Sequence, residues 1–94
     1  MKTRVRLING KYHPEDGLNL LLSMINEKIN FHELKILSEE ERGLEISKES
    51  KDKIEYFSKM ARQIYNEIDR LPNLDEYEMD IEANMTFIVR KKQS

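Results

Sequence analysis

The 94-residue chain has no cysteine, only two prolines and three glycines, and few aromatics. Without cysteine there is neither a disulfide framework nor a thiolate metal site, and a reducing compartment is the plain reading. No stretch approaches the roughly 20 apolar residues of a membrane span, and the opening MKTRVRLING lacks the apolar run of a signal peptide. A soluble, cytoplasmic protein is therefore expected. The glycines are too scattered for a phosphate-cradling loop, and neither an HExxH pair nor a calcium loop occurs. His13 and His32 are too few to argue a transition-metal site, so neither metal nor cofactor is expected. Neither sign of charge dominates: 16 basic residues against 18 acidic leave a net charge of -2. That balance gives no general pull towards nucleic acid or an anionic membrane.

What the chain does have is periodicity. Hydrophobic residues are 38% and charged ones 36%, yet the apolar positions recur at regular steps, which argues for a folded domain and against disorder. Residues 1–94 suit one small domain with a modest core. The clearest stretch is Tyr77 to Arg90. There Tyr77, Met79, Ile81, Ala83, Met85, Phe87 and Val89 take every second place, with Ile88 the one apolar residue out of phase. Side chains of an extended backbone alternate between faces, so this spacing predicts a long strand with one apolar flank.

Upstream, Thr3, Val5 and Leu7 alternate with Arg4 and Arg6 before Asn9-Gly10, which predicts a short strand over residues 3–8 ended by turn residues. Pro14, followed by Glu15 and Asp16, suits a helix start. Leu18, Leu21, Leu22, Ile25, Ile29 and Ile36 then form an apolar stripe to about Leu37, widened by Leu20, Met24 and Phe31. Such a helix should touch both the sheet and another helix. Ser38 and Glu41 have capping-box spacing, so a break or a short extra turn is expected there. Ser47 is a plausible N-cap for a second helix with Ile54, Phe57, Ala61, Ile64, Ile68 and Leu71 along its seam, stopped by Pro72.

The predicted fold is therefore α+β in the order β-α-α-β: a short N-terminal strand, an antiparallel helical hairpin, and a long C-terminal strand antiparallel to the first. In the expected register Arg4 and Arg6 share a face with Glu78, Asp80 and Glu82, which leaves Met85 to Arg90 overhanging. Met85, Phe87 and Val89 would then form an interface in a homodimer or larger oligomer whose sheet extends across subunits. The alternative is a hairpin turning near Ala83-Asn84, although the favoured Asn-Gly or Asp-Gly pair is missing there.

Two polar groupings are candidates for chemistry. His32, Lys35, Ser38, Glu41 and Arg42 lie around the end of the first helix, and His32 occupies a stripe position where an aliphatic residue is expected. A half-buried imidazole beside a cation can bind a ligand, but no catalytic constellation accompanies it, and a core histidine bonded to a backbone carbonyl is the simpler reading. Lys2, Arg4, Arg6, Arg90, Lys91 and Lys92 would meet as a basic patch if the terminal strands pair. Nucleic acid is disfavoured as its partner, because no recognition motif is present.

Asn9, Gly10, Pro14 and then Lys28, Ile29, Phe31, His32, Lys35, Ser38, Glu41 and Arg42 spell an Asn-Gly turn, a proline-started helix and K-I-x-F-H-x-x-K-x-x-S-x-x-E-R. Over its first half the chain resembles a family of small bacterial proteins of unassigned function that carry this motif. The resemblance brings no activity with it. The expected function is a non-enzymatic, homo-oligomeric interaction protein that binds another protein. The alternative is a binder of a small anionic ligand such as a nucleotide, held between subunits by Arg4, Arg6, His32, Lys35, Ser38 and Arg42.

Overall fold

A computed structural model describes residues 1–93. The order of elements is β1 (Lys2–Tyr12), α1 (Pro14–Glu41), α2 (Lys48–Asp69), a single 3-10 turn (Leu74–Glu76) and β2 (Met79–Ile88). β1 and β2 form a two-stranded antiparallel sheet, and α1 and α2 form an antiparallel hairpin. The predicted β-α-α-β fold is the one observed. Among the described residues no helix is long and apolar enough to cross a membrane.

The N-terminal strand is not short. It runs straight through Asn9-Gly10, which pair with Glu82 and Ile81 of β2, and the ring of Tyr12 lies beside Gly10. This lengthening overturns the expected register. Thr3 stands opposite Phe87, Val5 opposite Met85, Arg4 opposite Thr86 and Arg6 opposite Asn84. Beyond β2 proper, Met1 and Val89 exchange both backbone bonds, each at 2.8 Å. Met85, Phe87 and Val89 are thus paired within their own chain rather than overhanging. Glu82 and Asp80 face Asn9 and Lys11 instead of the two arginines. There is no hairpin at Ala83-Asn84, since β2 is one continuous strand.

The register slips once, between Arg6 and Ile8, where Leu7 is an extra residue on β1. With a side-chain period of two, one inserted residue moves everything after it to the other face. Thr3 and Val5 occupy odd positions before the bulge; Ile8, Gly10 and Tyr12 occupy even positions after it. The bulge therefore keeps all of them on the face that carries Met79, Ile81, Ala83, Met85 and Phe87, and Leu7 itself is left about half exposed.

α1 covers only the proximal end of that apolar face. Gly17, buried in its first turns, sits so close to β2 that an added Cβ would overlap Met79 Sδ and press on Ile81 Cδ1. Among the described residues the buried hydrophobic ones are Ile8 and Ile81 on the sheet and Ile25 on α1. α2 packs on α1 alone and makes no close approach to the sheet. The result is slender, with extents of 55 × 33 × 15 Å and a radius of gyration of 17.3 Å, against about 13 Å for a compact chain of this length.

α1 does not break at Ser38. It continues to Glu41, with Ser38 inside the helix accepting from the Arg42 N–H at 3.2 Å, and Gly43 turns the chain with a positive φ of 67°. The expected capping box fails because Ser38 stays helical; the reversal is supplied instead by the glycine. α2 begins where expected, with Ser47 Oγ accepting from the Ser50 N–H at 3.2 Å, and is slightly shorter than the spacing suggested. On its outer face Glu55 and Lys59, one turn apart, pair at 3.1 Å.

The Gly17 crossing gives the first prediction. Gly17→Leu should lower stability by about 1–3 kcal/mol in urea unfolding, since the space is already filled. Met79→Ala in the same chain should recover part of that loss, whereas simple additivity of the two costs would show that α1 does not rest on Met79.

Candidate functional site

Two regions bring chemistry-bearing residues together. The first lies between the helices near their loop. His32 Nδ1 is 3.2 Å from Ser50 Oγ, and Ser50 is fully buried at 0% exposure. The imidazole stacks on Phe57 at 6.3 Å and meets the edge of Phe31 at 5.2 Å. Lys28, Lys53 and Glu27 join these rings around an open depression of about 480 Å³. His32 is thus a satisfied histidine, as the simpler reading had it, but its partner is a serine hydroxyl rather than a backbone carbonyl.

The Ser–His pair is not arranged for nucleophilic catalysis. A hydroxyl with no exposed surface cannot reach a substrate, so the bond ties α1 to the first turn of α2. Glu39 adds to this tie by accepting from the Ser47 N–H at 3.2 Å. Lys35, Ser38 and Arg42 are exposed and do not line the depression. Arg4 and Arg6 lie elsewhere, lining a second shallow surface with Val5, Asn84 and Thr86 on the sheet.

The second region is the distal arm of the sheet. Past the reach of α1, the apolar face carries Val5, Met85, Phe87 and Val89, with Met85 44%, Phe87 38% and Val89 56% exposed. The opposite face of the same arm holds Lys2, Arg4 and Arg6, and Arg90, Lys91 and Lys92 follow the end of β2. None of these cations makes an ion pair among the described residues, where the bridges are Lys11–Glu78, His13–Asp75 and Lys59–Glu55. The proximal end is instead acidic, with Asp75, Glu76, Glu78, Asp80 and Glu82 all exposed. Charge is therefore segregated along the ribbon, basic at its tip and acidic at its root.

One functional pairing was missed in the sequence. His13 caps α1, its Nδ1 accepting from the Glu15 N–H at 3.2 Å, while Nε2 lies 2.8 Å from Asp75 Oδ1. A ring nitrogen that accepts carries no proton, so the geometry assigns the Nε2–H tautomer, donating to the carboxylate. This clasp joins the β1–α1 corner to the turn that leads into β2. The available signal was a polar residue directly before Pro14, at the N-cap place. Compared with protein-family models, curated proteins and solved structures, the chain matches none.

If the His32–Ser50 bond is a tie between helices, Ser50→Ala should cost about 1–2 kcal/mol by leaving the half-buried imidazole nitrogen unpaired. Ser38→Ala should stay within about 0.5 kcal/mol, as exposed substitutions do. Equal effects in denaturant titrations would remove the distinction drawn between these serines.

Proposed function

We propose that this chain is a non-enzymatic interaction protein that works as a homo-oligomer, a symmetric dimer being the smallest closed form. One observation carries the reading. The chain exposes 7937 Å², whereas a folded monomer of 11.3 kDa exposes roughly 5,700 Å² by the scaling of area with mass. The excess, on the order of 2,000 Å², is more than the roughly 800 Å² per partner of a standard protein interface.

The excess is apolar where it matters. Val5, Met85, Phe87 and Val89 on the arm, and Phe31, Leu34 and Leu37 on α1, are exposed side chains of the kind that a stable assembly covers. An isolated two-stranded sheet is marginal in water, and here a single helix crossing supports it. A second copy supplies what the chain lacks. The assembled surface, rather than a reaction centre, is then what another protein meets.

The depression beside His32 favours no second reading as strongly. It gathers Lys28 and Lys53 but also Glu27, and Arg4 and Arg6 are not part of it.

Light scattering coupled to size exclusion at micromolar concentration should give at least twice the 11.3 kDa chain mass. A single-chain mass would overturn the reading.

A further inference from the structure

The two edges of the ribbon are not equivalent, and their difference identifies the one that takes the partner. β1 carries the Leu7 bulge together with Lys2, Arg4, Arg6 and Lys11. Bulges and basic side chains are the devices by which sheet edges avoid pairing. β2 has neither: Met79–Ile88 is regular and contains no lysine, arginine or proline. Its charged residues, Asp80 and Glu82, stand at the proximal end, so the six uncharged residues 83–88 at about 3.3 Å each present roughly 20 Å of unguarded edge.

Which backbone groups face outward follows from the last rung. Met1 and Val89 exchange both of their bonds, so Val89 points its N–H and C=O at β1. The alternation of an antiparallel ladder then turns Phe87 and Met85 inward, and Ile88, Thr86 and Asn84 outward. Among the described residues the outward row is unpaired.

We propose that β2 pairs antiparallel with β2 of a second copy about a two-fold axis at Met85, making one continuous four-stranded sheet. This deepens the homo-oligomer reading and rests on it. Three observations converge on the arrangement. An axis at Met85 sets outward groups against outward groups, Asn84 opposite Thr86 and Glu82 opposite Ile88, as hydrogen bonding requires. It keeps the faces in phase, placing Ile81 beside Val89 and Ala83 beside Phe87, apolar on apolar. It also lays the acidic root of one ribbon along the basic tip of the other, with Asp80 opposite Arg90 and Glu78 opposite Lys92. The segregated charge is self-complementary only in this antiparallel sense. The bare arm of each copy then lies beside the end of the partner's sheet that α1 covers at Gly17.

The test uses charge reversal and mixing in the full chain, read by sedimentation equilibrium. Glu78→Lys with Asp80→Lys sets base against base at both ends of the interface; Arg90→Glu with Lys92→Glu sets acid against acid. Each pair of changes alone should weaken the dimer by at least about tenfold in Kd, and an equimolar mixture should restore it, because every reversed pair is then opposite in sign again. Thr86→Pro is the second variant. It removes an outward N–H and leaves the β1 ladder intact, so it should give a monomer with unchanged circular dichroism. If the unaltered chain is a dimer and these variants are equally tight, or mixing restores nothing, the β2 edge is not the interface and the homo-oligomer reading stands without it. If the unaltered chain is a monomer, both fall.

Discussion

A ribbon of two strands has one face to bury and only what the rest of its own chain can lay over it. In this protein that constraint governs everything else. The extra residue at Leu7 shifts β1 by one place, so the apolar side of the ribbon is the same side from Tyr12 to Thr3. The helix that covers it crosses at Gly17, near one end, and leads away from the sheet with α2 on its far side. Half of a continuous apolar face is covered and half is not. Had the bulge been absent, Ile8 and Tyr12 would lie on the face opposite Val5, and no single apolar surface would run the length of the ribbon.

The helical hairpin packs along a seam of half-buried apolar side chains, Ile54, Phe57, Ala61, Ile64 and Ile68 on α2, and carries a polar tie at each end. His13 fixes the end nearest the ribbon, joining the α1 cap to Asp75 ahead of β2. His32 fixes the other end through the buried Ser50 hydroxyl, helped by Glu39 and Ser47. Both histidines thus set the geometry of a small domain in which Ile8, Ile25 and Ile81 are the buried hydrophobic residues. A chain of this size has little surface to spare for a core of its own.

Periodicity made the elements and their order legible. Alternation marked β2, three-and-four spacing marked both helices, and Ser47 marked the start of α2. What could not be seen was where one period gives way to its opposite. Thr3, Val5 and Leu7 alternate as one set in the sequence, and Asn9-Gly10 has the composition of its end. Pairing of residues 9–12 with β2 past the Leu7 bulge instead carries the strand four residues further, and with it the register and the pairing of Met85 and Phe87. Ser38 and Glu41 misled for a related reason: capping chemistry acts only where the backbone leaves the helix, and here it does not do so until Gly43. The candidate ligand residues did not converge, since Arg4 and Arg6 belong to the ribbon and His32 to the helix pair. Segregation of charge along the ribbon could be seen only once the strands were aligned.

Amide hydrogen exchange along β2 tests the central claim most directly, because the two kinds of residue alternate within one strand. An edge paired to a second copy protects the outward amides of Asn84, Thr86 and Ile88 as well as the inward amides of Met85 and Phe87, and dilution releases the first set before the second. Outward amides that exchange freely at high protein concentration, beside protected inward ones, would contradict the account.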